Sequence, residues 1–451
     1  MTEVLERSAA EARAARREGR EGREALRSAI GRGGSVAAVD LGASKVACFI
    51  MKPEGVRRAD RNLVTAGVGY VQSHGVRAGG IVDADEAARA IAQAVERAEA
   101  MAGVEVQGVT VATTCGHLAS HRVSSQVSIG SRPVGEADKN RAVAQAMAGL
   151  RLARRQPIHL QPIAWSVDGE RRVRDPSSLI GRKLGLELLV VSMNEAVFRT
   201  LGHCVERAHL QFEGVVAAPY VSGLAALEED EMELGAICID MGGGSTSVAV
   251  WSGGALVHVD SLGVGGAHVT QDVARGLSTS IAGAERIKTL HGSAIASANE
   301  DREMIEAPPR GDDPGAGPVT APRSMLKGII APRVEETFEL LKERLKAAGA
   351  FVDPGAGIVL VGGASQLAGA REVAVRVFDR SVRLGRPRRI PHLADAAAGP
   401  AFCSAAGVLQ RAAFGPKEAA ARRAADTRTP RPVDPNANVL VKATAWLRAN
   451  L

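Results

Sequence analysis

Two short stretches of this chain of 451 residues share one chemical pattern. Val39-Asp40-Leu41-Gly42-Ala43-Ser44 and Ile239-Asp240-Met241-Gly242-Gly243-Gly244-Ser245-Thr246 each close an apolar run, and their aspartates stand 200 residues apart. A strand that ends in Asp and turns through Gly and hydroxyl residues presents backbone N–H groups beside a carboxylate, which suits a metal-bound polyphosphate. Asp40 and Asp240 are placed to hold Mg²⁺, through water because Mg²⁺ sheds its hydration reluctantly. Ser44 and Lys45 on the first turn, and Gly242 to Thr246 on the second, are suited to wrapping phosphate oxygens, with glycine allowing close backbone approach. A third apolar run, Ile358-Val359-Leu360-Val361, meets Gly362-Gly363-Ala364. One such turn is equally well a plain strand ending. Three in one chain predict two related half-sites that close on one nucleotide from opposite sides.

Segments that position these turns must fold alike. Residues 35–40, 45–51 and 63–70 read as strands, and 83–102 as a helix with Ala87, Ala90, Ile91, Ala94, Val95 and Ala98 on one face. Residues 235–251 and 256–262 repeat that strand layout, so a duplicated βββαβα-like unit is expected. Between the two copies, residues 116–191 are strand-rich, with a helical stretch at 138–150 and a turn at Asp168-Gly169, and read as an inserted module. Helices are expected at 195–209 and from Pro219 to Leu227, an extended loop at 292–323, a helix at 332–348, a buried strand at 357–361 and a last globular helix at 401–413.

Composition excludes several function classes. The net charge of +6 resides in the ends: residues 1–34 carry eight Arg against six Glu, and residues 412–451 carry seven Lys or Arg against three Asp or Glu. The body, 35–411, is neutral, and aromatic residues make up only 3% of the chain, so phosphate-backbone attraction and base-stacking platforms are both weak and no nucleic-acid partner is expected. The five cysteines are scattered without a CxxC pair, which argues against a disulfide framework or a zinc site and for a reducing compartment. No apolar stretch reaches the roughly 20 residues of a spanning helix, and residues 1–34, polar and of low complexity, show no secretory h-region.

The two aspartate turns and the Ile358–Ala364 stretch resemble the phosphate and adenosine motifs of the actin superfamily of ATPases, which includes DnaK-type chaperones, MreB-like filament proteins and sugar kinases. Within it, residues 35–411 and the C-terminal tail resemble the FtsA family of bacterial cell-division proteins. Ser73-His74-Gly75-Val76 with Gly80-Ile81-Val82-Asp83 is similar to the family's stretch before its first long helix. Val167-Asp168-Gly169, Asp175-Pro176 and Gly181-Arg182-Lys183-Leu184 resemble the end of its inserted module, and Gly265-Gly266, Val269-Thr270, Asp272 and Ala284-Glu285-Arg286-Ile287-Lys288 resemble its ribose-contacting region. The resemblance implies an α/β actin-like duplicated ATPase fold, two ribonuclease-H-like domains with an inserted strand-rich 1C module. It implies subdomain 1A at 35–115 and 192–221, 1C at 116–191, 2A at 222–267 and 332–411, and 2B at 268–331. A linker at 412–436 and a membrane-targeting helix at 437–451 would follow. ATP and Mg²⁺ are the implied ligands, with Glu285 and Lys288 at the ribose, Gly265 and Gly266 among the ATP-binding residues, and Gly362, Gly363 and Ala364 at the adenosine. The implied partners are the C-terminal peptide of FtsZ at 2B, further copies of the chain in a filament, anionic lipid, and later division proteins. The implied location is the cytoplasmic face of the inner membrane at the septum. Other readings of the same fold are an MreB-like or pilus-assembly protein and a small-molecule kinase or phosphohydrolase.

Two departures bear on chemistry. Many superfamily members carry a Glu or Gln before a Pro to position the attacking water, whereas here the residues are Ala217-Ala218-Pro219, and Ala43 replaces a frequent Ser or Thr. Methyl groups orient no water, so ATP binding with weak or undetectable hydrolysis and no catalytic residue is expected. At the other end, about 100° per residue places Leu440, Ala443, Leu447 and Leu451 on one stripe, with Val439 and Trp446 on its shoulder and Lys442 and Arg448 flanking it. That pattern fits a helix lying in a lipid interface. Trp446→Glu is expected to leave ATP binding intact and to release the full-length protein from anionic liposomes; retained co-sedimentation would contradict the tail as anchor.

Overall fold

A computed structural model describes residues 35–54, 62–177, 179–296, 302–309, 318–351, 355–388 and 390–414. The expected extension 1–34, the tail helix 437–451 with its lipid-facing residues, and the linker beyond residue 414 lie outside them.

The chain opens with an antiparallel meander, β1 (Val36–Leu41), β2 (Lys45–Glu54) and β3 (Asn62–Gln72), then a short hairpin, β4 (Val76–Arg77) and β5 (Gly80–Ile81). Helix Ala84–Ala102 follows, started by the Asp83 carboxylate accepting from the N–H groups of Asp85 and Glu86, both at 3.0 Å. Its alanine-rich stripe is buried against the sheet. β6 (Gly108–Thr113) pairs parallel with β1. β7 (Ala119–Pro133), helix Glu136–Ala148, β8 (Arg155–Val167), β9 (Glu170–Val173) and β10 (Ile180–Asn194) then build a separate sheet, order β7-β10-β8-β9, with its own core around Leu184, Leu186, Trp165 and Met147. Helix Glu195–Arg207 returns to β11 (Gln211–Ala217), which completes the first sheet, β11-β6-β1-β2-β3.

Helix Ala218–Ala226 and the short helix Glu229–Leu234 lead to a second lobe. β12 (Ala236–Met241), β13 (Thr246–Ser252) and β14 (Ala255–Leu262) form a second meander, followed by helices Gly266–Gly276 and Ile281–His291 and the hairpin β15 (Met304–Ala307) with β16 (Val319–Pro322). Helix Arg323–Ala347, β17 (Gly357–Val361), helix Ala370–Phe378, β18 (Val382–Leu384) and helix Cys403–Phe414 complete the described chain. The second sheet runs β14-β13-β12-β17-β18, with β17 parallel to β12 and β18 parallel to β17. Position for position, this is the pairing scheme of the first lobe, as expected for a duplicated unit.

Three features differ from the sequence reading. The Pro/Gly-rich stretch expected as a loop contains β15 and β16. The helix expected from Pro332 begins nine residues earlier at Arg323 and runs through Pro332, because Leu326, Ile330, Val334, Phe338, Leu341 and Leu345 form one buried stripe across it. The boundary expected between 331 and 332 therefore falls inside a continuous helix. Finally, helix Cys403–Phe414, expected with the second lobe, packs on β1, β2 and β6 of the first and continues into the segment expected as linker. Helix Ala218–Ala226 does the converse and packs mainly on β12 and β13. The two units thus exchange their final helices.

The exchanged helices cross in close contact, and a Cβ at Gly407 would overlap the Val221 carbonyl. Gly407→Val is expected to destabilise the fold by about 2–3 kcal/mol, read from the urea midpoint. Gly399→Ala, whose added carbon meets nothing within 4 Å, should leave the midpoint unchanged.

Candidate nucleotide cleft

Both aspartates occupy equivalent positions. In β1–β2 the register pairs Asp40 with Ala47, and in β12–β13 it pairs Asp240 with Ser247. The turns that follow close alike, Gly42 N–H donating to the Lys45 carbonyl at 3.1 Å and Gly242 N–H to the Ser245 carbonyl at 2.9 Å. Each carboxylate also accepts a hydroxyl from an exchanged helix: Ser404 Oγ reaches Asp40 Oδ1 at 3.0 Å, and Ser222 Oγ reaches Asp240 Oδ2 at 2.6 Å.

The two turns face each other across a cleft of about 1980 Å³. A Cβ on Gly243 would overlap the Ser44 hydroxyl, and one on Gly244 would lie 2.5 Å from the Ala43 methyl and 3.0 Å from the Ala78 nitrogen. Thr114 Oγ1 and Ser245 Oγ bond across the gap at 2.8 Å. Asp40, Gly42, Ala43, Ser44, Lys45, Asp240 and the run Gly242 to Thr246 all line the cleft, as do Gly265, Gly266, Glu285, Lys288, Gly362, Gly363 and Ala364. Ala218 lines it too, at the place where a water-positioning side chain was sought.

At the far end, Gly362 has φ 87°, and a side chain there would overlap Asp240 Oδ1 and the Met241 carbonyl, so glycine is required on both counts. Ala364 approaches Gly266 closely. Glu285 and Lys288 are more than a surface pair. Lys288 Nζ donates to Glu285 Oε2 at 2.7 Å, to Thr270 Oγ1 at 2.8 Å and to the Gly266 carbonyl at 3.3 Å, tying their helix to the Gly265-Gly266 turn. Lys45 reaches the cleft from the first turn with its ammonium already engaged. Its ammonium donates to the Ala401 carbonyl at 2.7 Å and lies 3.4 Å from the centre of the Phe402 ring, so it is held by the chain entering the last helix.

Comparison with known proteins sets this cleft in a family. The model of "Cell division protein FtsA" matches residues 237–407, and that of "SHS2 domain inserted in FTSA" matches 115–192, the strand-rich insertion. Cell division protein FtsA of Agrobacterium fabrum is 41% identical over 380 residues, covering 83% of this chain and 86% of its own. The chain belongs to the FtsA family of cell-division proteins. FtsA of Escherichia coli K12 is 30% identical, with 83% of this chain and 89% of that one covered. A solved PilM–PilN type IV pilus biogenesis complex shares the fold, with a TM-score of 0.57 at 16% identity, covering 84% of this chain and 98% of that one.

In this FtsA-family cleft the Lys45 ammonium stands near both Asp40 and Asp240. Burial, reinforced by the Asp240 charge, raises the Asp40 carboxyl to about 6 against the opposing Lys45 ammonium and Ser404 hydroxyl. Burial likewise raises Asp240 and lowers Lys45. Two cleft carboxylates, one raised by the charge of the other, fit a divalent cation, and the buried hydroxyls of Ser73, Thr246 and Ser247, which line the cleft without a hydrogen-bond partner, fit a polar ligand. Sequence reasoning found the aspartates and Thr270 but missed Ser222, Ser404 and Thr114. The two serines lie inside small-residue apolar helices, and only their pairing across the exchange marks them.

Between pH 4 and 6 the folded chain holds a proton on Asp40 that an unfolded carboxyl, near 3.8, has released, so this group's contribution to stability falls as pH rises through that window. His159 and His258, lowered by burial, act oppositely as pH drops. The test is therefore a difference. In metal-free buffer, wild type minus Asp40→Asn should lose up to about 3 kcal/mol of unfolding free energy between pH 4 and 7, measured in urea.

Proposed function

We propose that this chain is an ATP-binding actin homologue that assembles on the inner membrane, tethers the FtsZ ring there and recruits later division proteins. The observation that carries the nucleotide part is the convergence of two equivalent aspartate turns, one from each duplicated lobe, on a single cleft. Asp40 and Asp240 would hold Mg²⁺ through its water shell. The Gly42–Lys45 and Gly242–Thr246 turns would present N–H and hydroxyl donors to the phosphates. Glu285 and Lys288 would take the ribose, Gly265 and Gly266 would also contact the ATP, and Gly362 to Ala364 would take the adenosine. When bound, Mg²⁺ would neutralise phosphate charge.

Binding would dominate over turnover. The only carboxylates lining the cleft among the described residues are Asp40, Asp240 and Glu285, and Ala218 offers a methyl group where a water would need orienting. A kinase reading lacks a general base for the same reason. The insertion would be subdomain 1C, residues 268–331 the core of 2B and the seat of the FtsZ C-terminal peptide, and helix Cys403–Phe414 would be counted with 1A. No helix among the described residues is long and apolar enough to cross a membrane, so attachment would be peripheral, through residues 437–451, and weak single anchors would add up along a polymer.

Gly243→Val, whose side chain meets Ser44 of the opposite lobe, should lower Mg·ATP affinity at least tenfold in calorimetry while leaving the circular dichroism spectrum unchanged. Purified wild type should bind Mg·ATP and release phosphate slowly or undetectably; several turnovers per second without a partner would contradict the reading.

A further inference from the structure

The hairpin of β4 and β5 forms a wall of the cleft that the nucleotide reading leaves without a role. Ser73, His74, Arg77, Ala78 and Gly79 line the cleft there, all from the first lobe. Backbone bonds fix the segment at three points. Ser73 N–H donates to the Ser44 carbonyl at 3.1 Å, which ties the stretch to the first aspartate turn. At the base Val82 N–H donates to the Gly75 carbonyl at 2.9 Å, and at the tip Gly116 N–H donates to the Gly79 carbonyl at 2.9 Å. The tip, Ala78-Gly79, has φ 46° and 75°, the two left-handed residues of a tight two-residue hairpin turn. That tip bears on the other lobe. A Cβ on Gly244 would lie 3.0 Å from the Ala78 nitrogen, and one on Gly263 would lie 3.2 Å from the Ala78 carbonyl oxygen.

Two side chains of this wall are left open by the protein. Ser73 is 6% exposed, and its hydroxyl has no hydrogen-bond partner among the described residues. Burying such a group is costly unless a ligand completes it. Arg77, next to the tip, is exposed and has no ion pair among the described residues. The other permanent cations of the cleft are committed or distant. Lys45 donates to the Ala401 carbonyl, Lys288 pairs with Glu285, and Arg323 pairs with Glu303. Arg286 stands on helix Ile281–His291 between Glu285 and Lys288, on the second-lobe side. On the first-lobe side, Arg77 is therefore the cation open to an anionic ligand.

We propose that Arg77, with the Ser73 hydroxyl on the same wall, receives the terminal phosphate of a nucleoside triphosphate and so makes the cleft select triphosphate over diphosphate. The proposal rests on the nucleotide reading of this cleft. With the base among the second-lobe helices, as in that reading, the polyphosphate runs toward the first lobe and its last group meets the hairpin. A guanidinium offers paired N–H donors that match two oxygens of one phosphate, and it keeps its charge at any working pH. A diphosphate lacks the group that Arg77 holds but keeps every contact with the aspartate and glycine turns. Because the tip also bears on Gly244 and Gly263, a triphosphate held there favours the arrangement with the lobes together.

Calorimetric titration of Mg·ATP and of Mg·ADP into the full-length wild type, Arg77→Ala, Arg77→Lys, Ser73→Ala and Arg286→Ala tests this. Arg77→Ala should weaken Mg·ATP about tenfold and leave Mg·ADP within about twofold of wild type, so the preference for triphosphate shrinks accordingly. Arg77→Lys should keep part of that preference, because it restores the charge without the paired donors. Ser73→Ala should weaken Mg·ATP roughly threefold or more and spare Mg·ADP. Arg286→Ala removes an equal charge from the second-lobe side and should leave the ratio of the two affinities unchanged. Equal losses for both nucleotides in Arg77→Ala, or no loss for either, would overturn the proposal. So would an Arg286→Ala variant that shifts the ratio as far as Arg77→Ala does, since charge at a distance would then account for the preference. Wild type that binds neither nucleotide would overturn the nucleotide reading itself, and this proposal with it.

Discussion

The structure depends on a reciprocal exchange of helices between its two lobes. Helix Ala218–Ala226 follows the first sheet in sequence yet packs on the second, and gives Ser222 to Asp240. Helix Cys403–Phe414 follows the second sheet yet packs on the first, and gives Ser404 to Asp40. Each cleft carboxylate is thus oriented by a hydroxyl from the other unit's last helix, and the two helices approach backbone to backbone at Val221 and Gly407. Lobe motion must shear that crossing, and a sheared crossing moves the hydroxyls on both aspartates. The geometry of the cleft and the relative position of the lobes are therefore one mechanical variable, and a ligand that favours one closure favours that shape of the whole molecule.

Electrostatics reinforce the coupling. Lys45 stands near both carboxylates but spends its hydrogen bond on Ala401, at the entrance to the exchanged helix, so the cation beside the two aspartates also anchors that helix. Burial pushes both aspartates toward protonation, and at Asp40 the Asp240 charge adds to it. In the proposed function a divalent ion and an anionic ligand would complete this site. Its walls hold little that would then break a bond, since Ala218 is a methyl group where a polar side chain would be needed. A clamp of this kind would suit the proposed role in assembly.

Much of this was legible in the sequence because long apolar runs ending in Asp-x-Gly admit few interpretations. β1, β2, β12, β13 and β17 carry buried residues on both faces, and such strands read plainly. The hairpin β15–β16 was hidden because its strands are only four residues each within a Pro/Gly-rich stretch. Pro332 marked a helix start by its usual preference, but a buried stripe on both sides of it outweighs one missing N–H. The helix exchange leaves no local signal at all: a helix of Ala, Ser, Gly and Val reads the same whichever sheet receives it. Lys45 was assigned to phosphate from its place in the motif, and only the fold reveals Ala401 and Phe402 beside it.

The central claim is that Asp40 and Asp240 act on one bound Mg·ATP from opposite lobes. Calorimetric titration of Mg·ATP into wild type, Asp40→Asn, Asp240→Asn and the double variant measures it most directly. The clamp predicts that each single change weakens binding at least tenfold and that the double variant falls little further, a coupling of about 1 kcal/mol or more. Losses that simply add in the double variant would mean that the two aspartates act independently, and would contradict a shared site.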